Sequence, residues 1–548
     1  MRLPSLVAVS SCVLLQYSSV AYGQSNASDT RPYPGTPANF SSFALAPFWP
    51  YQTFVTEPDF HPPVLEITKQ PGASDGLFIF APLPFLPVYP DRPPVGLIMD
   101  QLGNPIWHSA NGYLGQLEVQ QLDGKNVLTY WTGGIGGGFV DAHGMGTITI
   151  LDSTYKLIQN VTLNDGTFKA GDSMQNKPYP SYIDIHESHI TPKGSLIVTA
   201  YNSTPYNLSA VGGPEDGWLL DSLIYEIDLR TNETLFRWSS VEHIDELPLN
   251  GSHQLHPNGS IIDGNNATHP WDYFLTNSVF PLDDGYILSS RHYWSAIALD
   301  SNGNVTWNLN GEDGGDFDLV NQTGKSSTFS WQHYVRPLDS TPNRSVTIDM
   351  FNNHNNGFDN GTNPSTGLTL YLDLQNRTVE TVSALQDPKK VVYVDSQGTF
   401  QRLPGDHKLL ANGQIPTLTE FDDNDRVVMK ARFGQDNQVS SYRSYLVSNW
   451  SATPYWAPKI ATTQEASGNV TLSMSWNGAT PDVYDGWMIY ESADVNGPLT
   501  EISQRVPRTG FETNATLSAG TRLVMAAAGK GNQATRRSES IRVELPSV

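Results

Sequence analysis

Residues 181–201 read SYIDIHESHITPKGSLIVTAY, and residues 222–238 read SLIYEIDLRTNETLFRW. The first stretch has a strand-like run carrying His186 and His189, a turn at Pro192-Lys193-Gly194, and an alternating strand. The second gives two more strands about a turn led by Asp228. Together they predict a four-stranded antiparallel unit. Its second half recurs as GLIMDQLGNPIWHS at Asp100, GTITILDSTYKLIQNVT at Asp152, SAIALDSNGNVTWNLN at Asp300, LTLYLDLQNRTVETVS at Asp373 and TLTEFDDNDRVVMKAR at Asp422. Each copy is an apolar strand, an aspartate, a short polar turn and a second strand. Copies spaced by roughly fifty to seventy-five residues are the mark of a radial repeat. The expectation is an all-β chain with a six-bladed β-propeller over residues 61–452.

Outward from the repeats, residues 1–23 combine Arg2, an apolar run and a small-residue end at Ala21-Tyr22-Gly23. This predicts a signal peptide cut near Gln24 and a secreted protein. Residues 24–60 read as an irregular lead-in. The one cysteine, Cys12, lies within the signal, so the mature chain is expected to hold no disulfide. Seventeen Asn-X-Ser/Thr sequons, from Asn26 to Asn514, predict heavy glycosylation. After Trp450 the register changes. Thr453–Lys459 reads as a linker, and short strands over 460–548 predict a small C-terminal β-sandwich.

The 548 residues carry a formal charge of −23, which excludes a basic nucleic-acid-binding face. No later stretch approaches the length of a membrane span. The glycine run at 133–138 lacks the Gly-Lys-Ser/Thr ending of a phosphate loop and reads as a flexible loop. His186-Glu187-Ser188-His189 differs from the zinc-protease pattern by one residue and sits on a strand, so no metal is expected. There is no Gly-X-Ser-X-Gly elbow of a serine hydrolase.

Polar residues on the innermost strands of a propeller converge on its axis. That singles out Asp141 and His143, His186 and His189, Asn277 and Arg291, His333, and His354. Trp131, Trp331 and Tyr334 are candidates to stack on an aromatic ligand, with packing the commoner role.

The runs DIHESHITPKGSLIVTAYN, WDYFLTNSV with GYILSSRH, FSWQH and SWNGA resemble the fungal branch of the arylsulfotransferase family over nearly the whole chain after the signal. The resemblance implies a six-bladed propeller that moves a sulfuryl group from a phenolic sulfate ester to a phenol through a sulfated histidine. It implies no nucleotide sulfate donor and no cofactor. Carried over residue by residue, it makes His333 the nucleophile, His186 a second site histidine that handles the leaving group, and Asn277 and Arg291 the sulfonate-binding pair. The substrate would be a small aromatic.

These roles fit the chemistry. A neutral imidazole attacks sulfur without first losing a proton, and the guanidinium fork matches sulfonate oxygens. One position departs: Leu275 stands where the family pattern has a third histidine. Its loss is expected to cost about 3–5 kcal/mol unless His189 or His292 substitutes. The alternative expectation is a propeller that has lost sulfuryl transfer and binds or converts another small aromatic or secondary metabolite.

Overall fold

The computed structural model describes residues 49–84, 94–135, 143–166, 168, 181–254, 264–320, 326–356, 363–436, 438–464, 469–502 and 505–543. The signal segment, residues 24–48 of the lead-in, Asp141 and residues 136–138 of the glycine run lie outside these. Among the described residues there is no α-helix, only short 3₁₀ turns between strands.

The chain up to Val447 is built from antiparallel meanders of four strands. The third is the opening stretch of the analysis: Ile183–Ile190, Ser195–Tyr206, Gly217–Asp228 and Thr234–Ser239. The second, starting at Gly115–Leu122, joins it through one pair, Gly146 with Ile183. The fourth starts at Thr276–Leu282, the fifth at His333–Thr341 and the sixth at Thr399–Arg402.

The first meander differs from expectation. Its initial strand is Ser444–Val447, from the far end of the chain, paired with Leu77–Phe80. Glu66–Lys69, at the start of the span expected to form the propeller, does not join the first meander but extends the sixth sheet by pairing with Val427–Arg432. The physical reason is edge closure. Each exchange covers a row of backbone donors and acceptors that would otherwise be open.

The initial strands of neighbouring meanders contact one another in a closed ring, with Ser444–Val447 touching both Thr399–Arg402 and Gly115–Leu122. One apolar layer fills each gap between neighbouring meanders. Alternate residues of a middle strand serve opposite layers: Leu196 and Val198 enter one, and Ile197 enters the next. Burial on both faces is why SLIVTAY and GYIL read as continuous apolar runs.

The six recurring aspartates share one task. Each turns a side-chain oxygen onto backbone N–H groups of its own turn: Asp100 to Leu102 and Asn104, Asp152 to Thr154 and Lys156, Asp228 to Arg230 and Thr231. Asp300, Asp373 and Asp422 do the same. The carboxylate supplies acceptors the tight turn lacks, so the recurrence belongs to hairpin geometry and not to catalysis.

Residues 459–543 form a three-stranded and a six-stranded sheet that share a core of Leu472, Met474, Trp487, Ile489 and Val524. This unit rests on the first two meanders. Gly478 donates to the Ile106 carbonyl at 2.7 Å, and Tyr155 donates its hydroxyl to the Gly478 carbonyl at 2.8 Å.

Candidate functional site

The initial strands lose their regular register toward one end. Register breaks fall between Gly115 and Glu118, Ile183 and Ser188, Thr276 and Ser278, and His333 and Arg336. Gln116, Leu275, Trp331, Tyr334 and Gln397 take positive φ there, between 44° and 69°. Side-chain-bearing residues adopt that region at a cost of roughly 1–3 kcal/mol, and bulges of this kind re-aim side chains next to functional sites.

The Trp-Gln-His run shows what the re-aiming achieves. Trp331 lies under the Arg291 guanidinium at 4.8 Å. Gln332 donates to Ser289 Oγ and to the carbonyls of Ser290 and Ser295, fastening the run to the fourth sheet. Asn277 Nδ2 donates to the Gln332 carbonyl at 2.6 Å. His333 is thereby held with Nδ1 2.9 Å from Asn353 Oδ1, while its Nε2 accepts the Gln397 N–H at 3.2 Å. This pattern assigns the proton to Nδ1 and the lone pair to Nε2. Burial, then the nearby Arg291 charge, holds the His333 pKa well below the ordinary imidazole value, so the ring is neutral.

A second neighbourhood adjoins it. Asp184 Oδ1 meets His186 Nδ1 at 2.5 Å, and its Oδ2 accepts the Gly144 N–H. His143 Nε2 meets Asp272 Oδ2 at 2.9 Å, with Asp184 3.8 Å from its Nδ1. Burial disfavours charge on His143, but Asp272 and Asp184 outweigh it and raise its pKa to about 9. The Asp184 carboxyl, equally buried, is nevertheless held well below its usual range by His186 and His143. Tyr442 joins the neighbourhoods, its ring edge-on to His186 at 5.4 Å and to His333 at 6.4 Å.

Deeper along the same strands, Glu187 binds Arg443 at 2.7 Å and Arg336 at 2.9 Å, all largely buried. Arg443 also donates to the carbonyls of His186 and Asn277. Arg336 and Arg443 overcome the burial of Glu187 and lower its pKa to about 2. This anchor ties the third, fourth and fifth initial strands to the segment that closes the ring.

His143, His186, Asn277, Arg291 and His333 therefore share one region. His189 does not: its ring packs tilted against Phe280, centroids 4.1 Å apart, beside the Glu187 anchor. His354 is spent on Asn352 and the carbonyls of Thr328 and Pro364. Leu275 is buried and presents no polar atom. Of the expected substitutes only His292 is adjacent, with Nδ1 2.6 Å from the Asp272 carbonyl. Trp131 is packing. Its indole donates to the Ile183 carbonyl, and Gly133, Gly144 and Gly146 crowd against it so closely that a Cβ would collide. The glycine run thus begins as strand, with residues 133–135 ending Lys125–Ile135. Tyr334 is wedged between Arg336 and Arg443.

The sequence reading missed Asp184, Asp272, Asn353, Tyr442 and Arg443. Asp184 had a signal, since it lies two residues before His186 on one strand face. His143, Asp184 and His186 could bring ligand atoms within 4.8 Å of one another. Each imidazole faces a carboxylate, His186 that of Asp184 and His143 that of Asp272.

The family model described as arylsulfotransferase (ASST) matches residues 118–434, more than half of the chain. The chain belongs to the arylsulfotransferase family. That match takes in His143, His186, Asn277, Arg291 and His333, and stops short of Tyr442 and Arg443. No curated protein matches this family member. Among solved structures, a protein of unknown function from Bacteroides caccae is similar at 10% identity and a TM-score of 0.36, covering 68% of this chain and 98% of its own. Virginiamycin B lyase from Staphylococcus aureus is similar at 9% identity and a TM-score of 0.28, covering 77% and 94%. An α-L-arabinofuranosidase from Fusarium graminearum is similar at 10% identity and a TM-score of 0.30, covering 66% and 88%.

Proposed function

We propose that this family member is a secreted, glycosylated sulfotransferase whose meanders are the blades of a six-bladed propeller, followed by a β-sandwich over residues 460–548. The closed ring of initial strands and the shared core of the two C-terminal sheets support that architecture. The enzyme passes a sulfuryl group from a phenolic sulfate ester to a phenol. One observation carries the reading: His333 is a buried, neutral imidazole whose proton sits on Nδ1, beside the Arg291 guanidinium. Its Nε2 lone pair attacks sulfur. The S–O bond to the phenol breaks, and the phenolate leaves with its electron pair. His186, backed by Asp184, meets that developing charge. Having given its proton to the departing phenolate, His186 takes the proton of the acceptor phenol as that oxygen attacks sulfur and the Nε2–S bond breaks.

Attack requires Nε2 to release the Gln397 N–H, at a cost of about 1 kcal/mol. Arg291 receives the sulfonate oxygens, and its seat on Trp331 orients the fork. Asn277 has one N–H committed to the Gln332 carbonyl, so it also fixes the peptide that presents His333. As in phosphoryl transfer, catalysis by such a site is positioning plus charge stabilisation. No step uses a nucleotide sulfate or a metal.

The test is a transfer assay on the secreted protein with an aryl sulfate donor, a phenol acceptor and no nucleotide. Acceptor sulfation that disappears in His333→Ala supports the reading; sulfation that persists in that variant overturns it. The second reading, a cavity that has lost sulfuryl transfer and handles another small aromatic, is favoured by buried, apolar Leu275. It predicts silence in the wild type with every aryl sulfate tried, and silence again in Leu275→His.

A further inference from the structure

On the outer strands of the sixth sheet, Thr417, Arg432 and Glu66 stand side by side on three adjacent strands. They line a cavity of about 340 Å³ whose apolar walls include Trp49, Leu410 and Phe421. Glu66 is 3% exposed, yet neither of its carboxyl oxygens has a hydrogen-bond partner, and neither does Thr417 Oγ1. Burying such groups unsatisfied costs roughly 1–3 kcal/mol each, so two on residues that line one cavity need an account.

The charges around the cavity are already matched. Arg432 pairs with Asp436 at 2.8 Å and donates to the Gly434 carbonyl, Lys430 pairs with Asp387, and Lys390 lies 4.0 Å from Asp436. Burial raises Glu66 to about 8 against the pull of Arg432 and Lys390, which leaves it a neutral acid. What remains is a carboxyl and a hydroxyl, each able to donate and to accept, against carbon-rich walls. An ammonium would face Arg432, Lys390 and Lys430, and an anion would face the Asp387 carboxylate.

We propose that this cavity is a binding site for a neutral polyhydroxylated molecule of sugar type, its hydroxyls on Glu66 and Thr417 and its C–H face on the apolar walls. The volume sits near the lower end of the range for small-molecule sites, about 300–1,000 Å³. The site is independent of the sulfuryl-transfer reading.

Calorimetric titration of the full-length protein with glucose and with maltose tests it, with glucosamine and glucuronate as charged counter-probes. One of the neutral sugars is expected to bind with a millimolar Kd, of order 10⁻³ M. Glu66→Gln, which keeps a donor and an acceptor, holds affinity within roughly threefold, whereas Glu66→Leu loses at least about tenfold. A melting curve shows that Glu66→Leu is folded; should it not fold, Thr417→Val replaces it with the same expected loss. The proposal is overturned if neither neutral sugar binds, if a charged probe binds better, if binding ignores these substitutions, or if crystals grown in sugar hold only water in the cavity.

Discussion

His333 and His143 are both buried, they share one site, and their surroundings drive them to opposite protonation states. His333 is offered an amide oxygen that favours a positive ring, but burial and then the Arg291 guanidinium outweigh it and keep the ring neutral. His143 is offered Asp272 and Asp184, and holds its proton to about pH 9. The same side chain is held neutral in one setting and as a cation in the other, and the proposed reaction uses the neutral ring as its nucleophile. Pairs of titratable groups whose environments push them apart mark the division of labour in an active site.

The comparison can be broken most severely at the nucleophile. In His333→Gln, transfer should fall by at least about 10⁴-fold in an aryl sulfate assay, because the group that carries the sulfuryl is gone. His143→Gln should retain measurable transfer, since that ring is not asked to react. Next in size is the anchor beneath both histidines. Arg443→Met leaves buried Glu187 with Arg336 as its remaining cation, so chemical denaturation should show a stability loss of about 2–3 kcal/mol.

The protonation states also set opposite pH dependences. His143, raised above its unfolded value, contributes stability that is complete below about pH 6.5 and is lost as pH rises through 9. His333, depressed, contributes in the other sense: its environment costs stability as pH falls below about 6.5, where the unfolded chain takes up a proton that the folded ring refuses. Asp272→Asn should remove much of the alkaline loss, on the order of 2–3 kcal/mol between pH 6.5 and 9, measured by denaturant titration across pH.

The smallest change sharpens the contrast most. Asn353→Asp puts a carboxylate on His333 and makes it resemble His143. The acid limb of the pH–rate profile should move up by roughly 1–3 units, with transfer at pH 7 falling by about tenfold. An unmoved limb would mean that Asn353 does not govern the protonation of His333.

Much of this was legible in the chain. The aspartate-led turns were, because each carboxylate must sit at one fixed place in its hairpin, so the spacing recurs even where loops vary. The doubly buried strands were, as unbroken apolar runs. The closing strand Ser444–Val447 was not: four residues carry no period, and their partner Leu77–Phe80 lies more than three hundred residues earlier. Nor was the pairing of Glu66–Lys69, since nothing local states which edge a short strand will cover.

In the site, His186 and His333 stood out by type and motif, but their partners did not. Tyr442 and Arg443 reach the histidines only because the chain closes on itself, Asn353 lies across the fifth hairpin from His333, and Leu275 and Trp331 take positive φ that no apolar pattern announces. Sequence spacing reported which groups had reactive chemistry. The bulged backbone decides what each one faces.

The most direct test of the account is to mix the wild-type protein with an aryl sulfate in the absence of acceptor, quench it in base, and map sulfation by peptide mass. The account predicts one sulfuryl group per chain, on the peptide carrying His333, lost when a phenol is added before the quench. Sulfuryl on another residue, or sulfation of the acceptor under conditions where the His333 peptide is never modified, would contradict it.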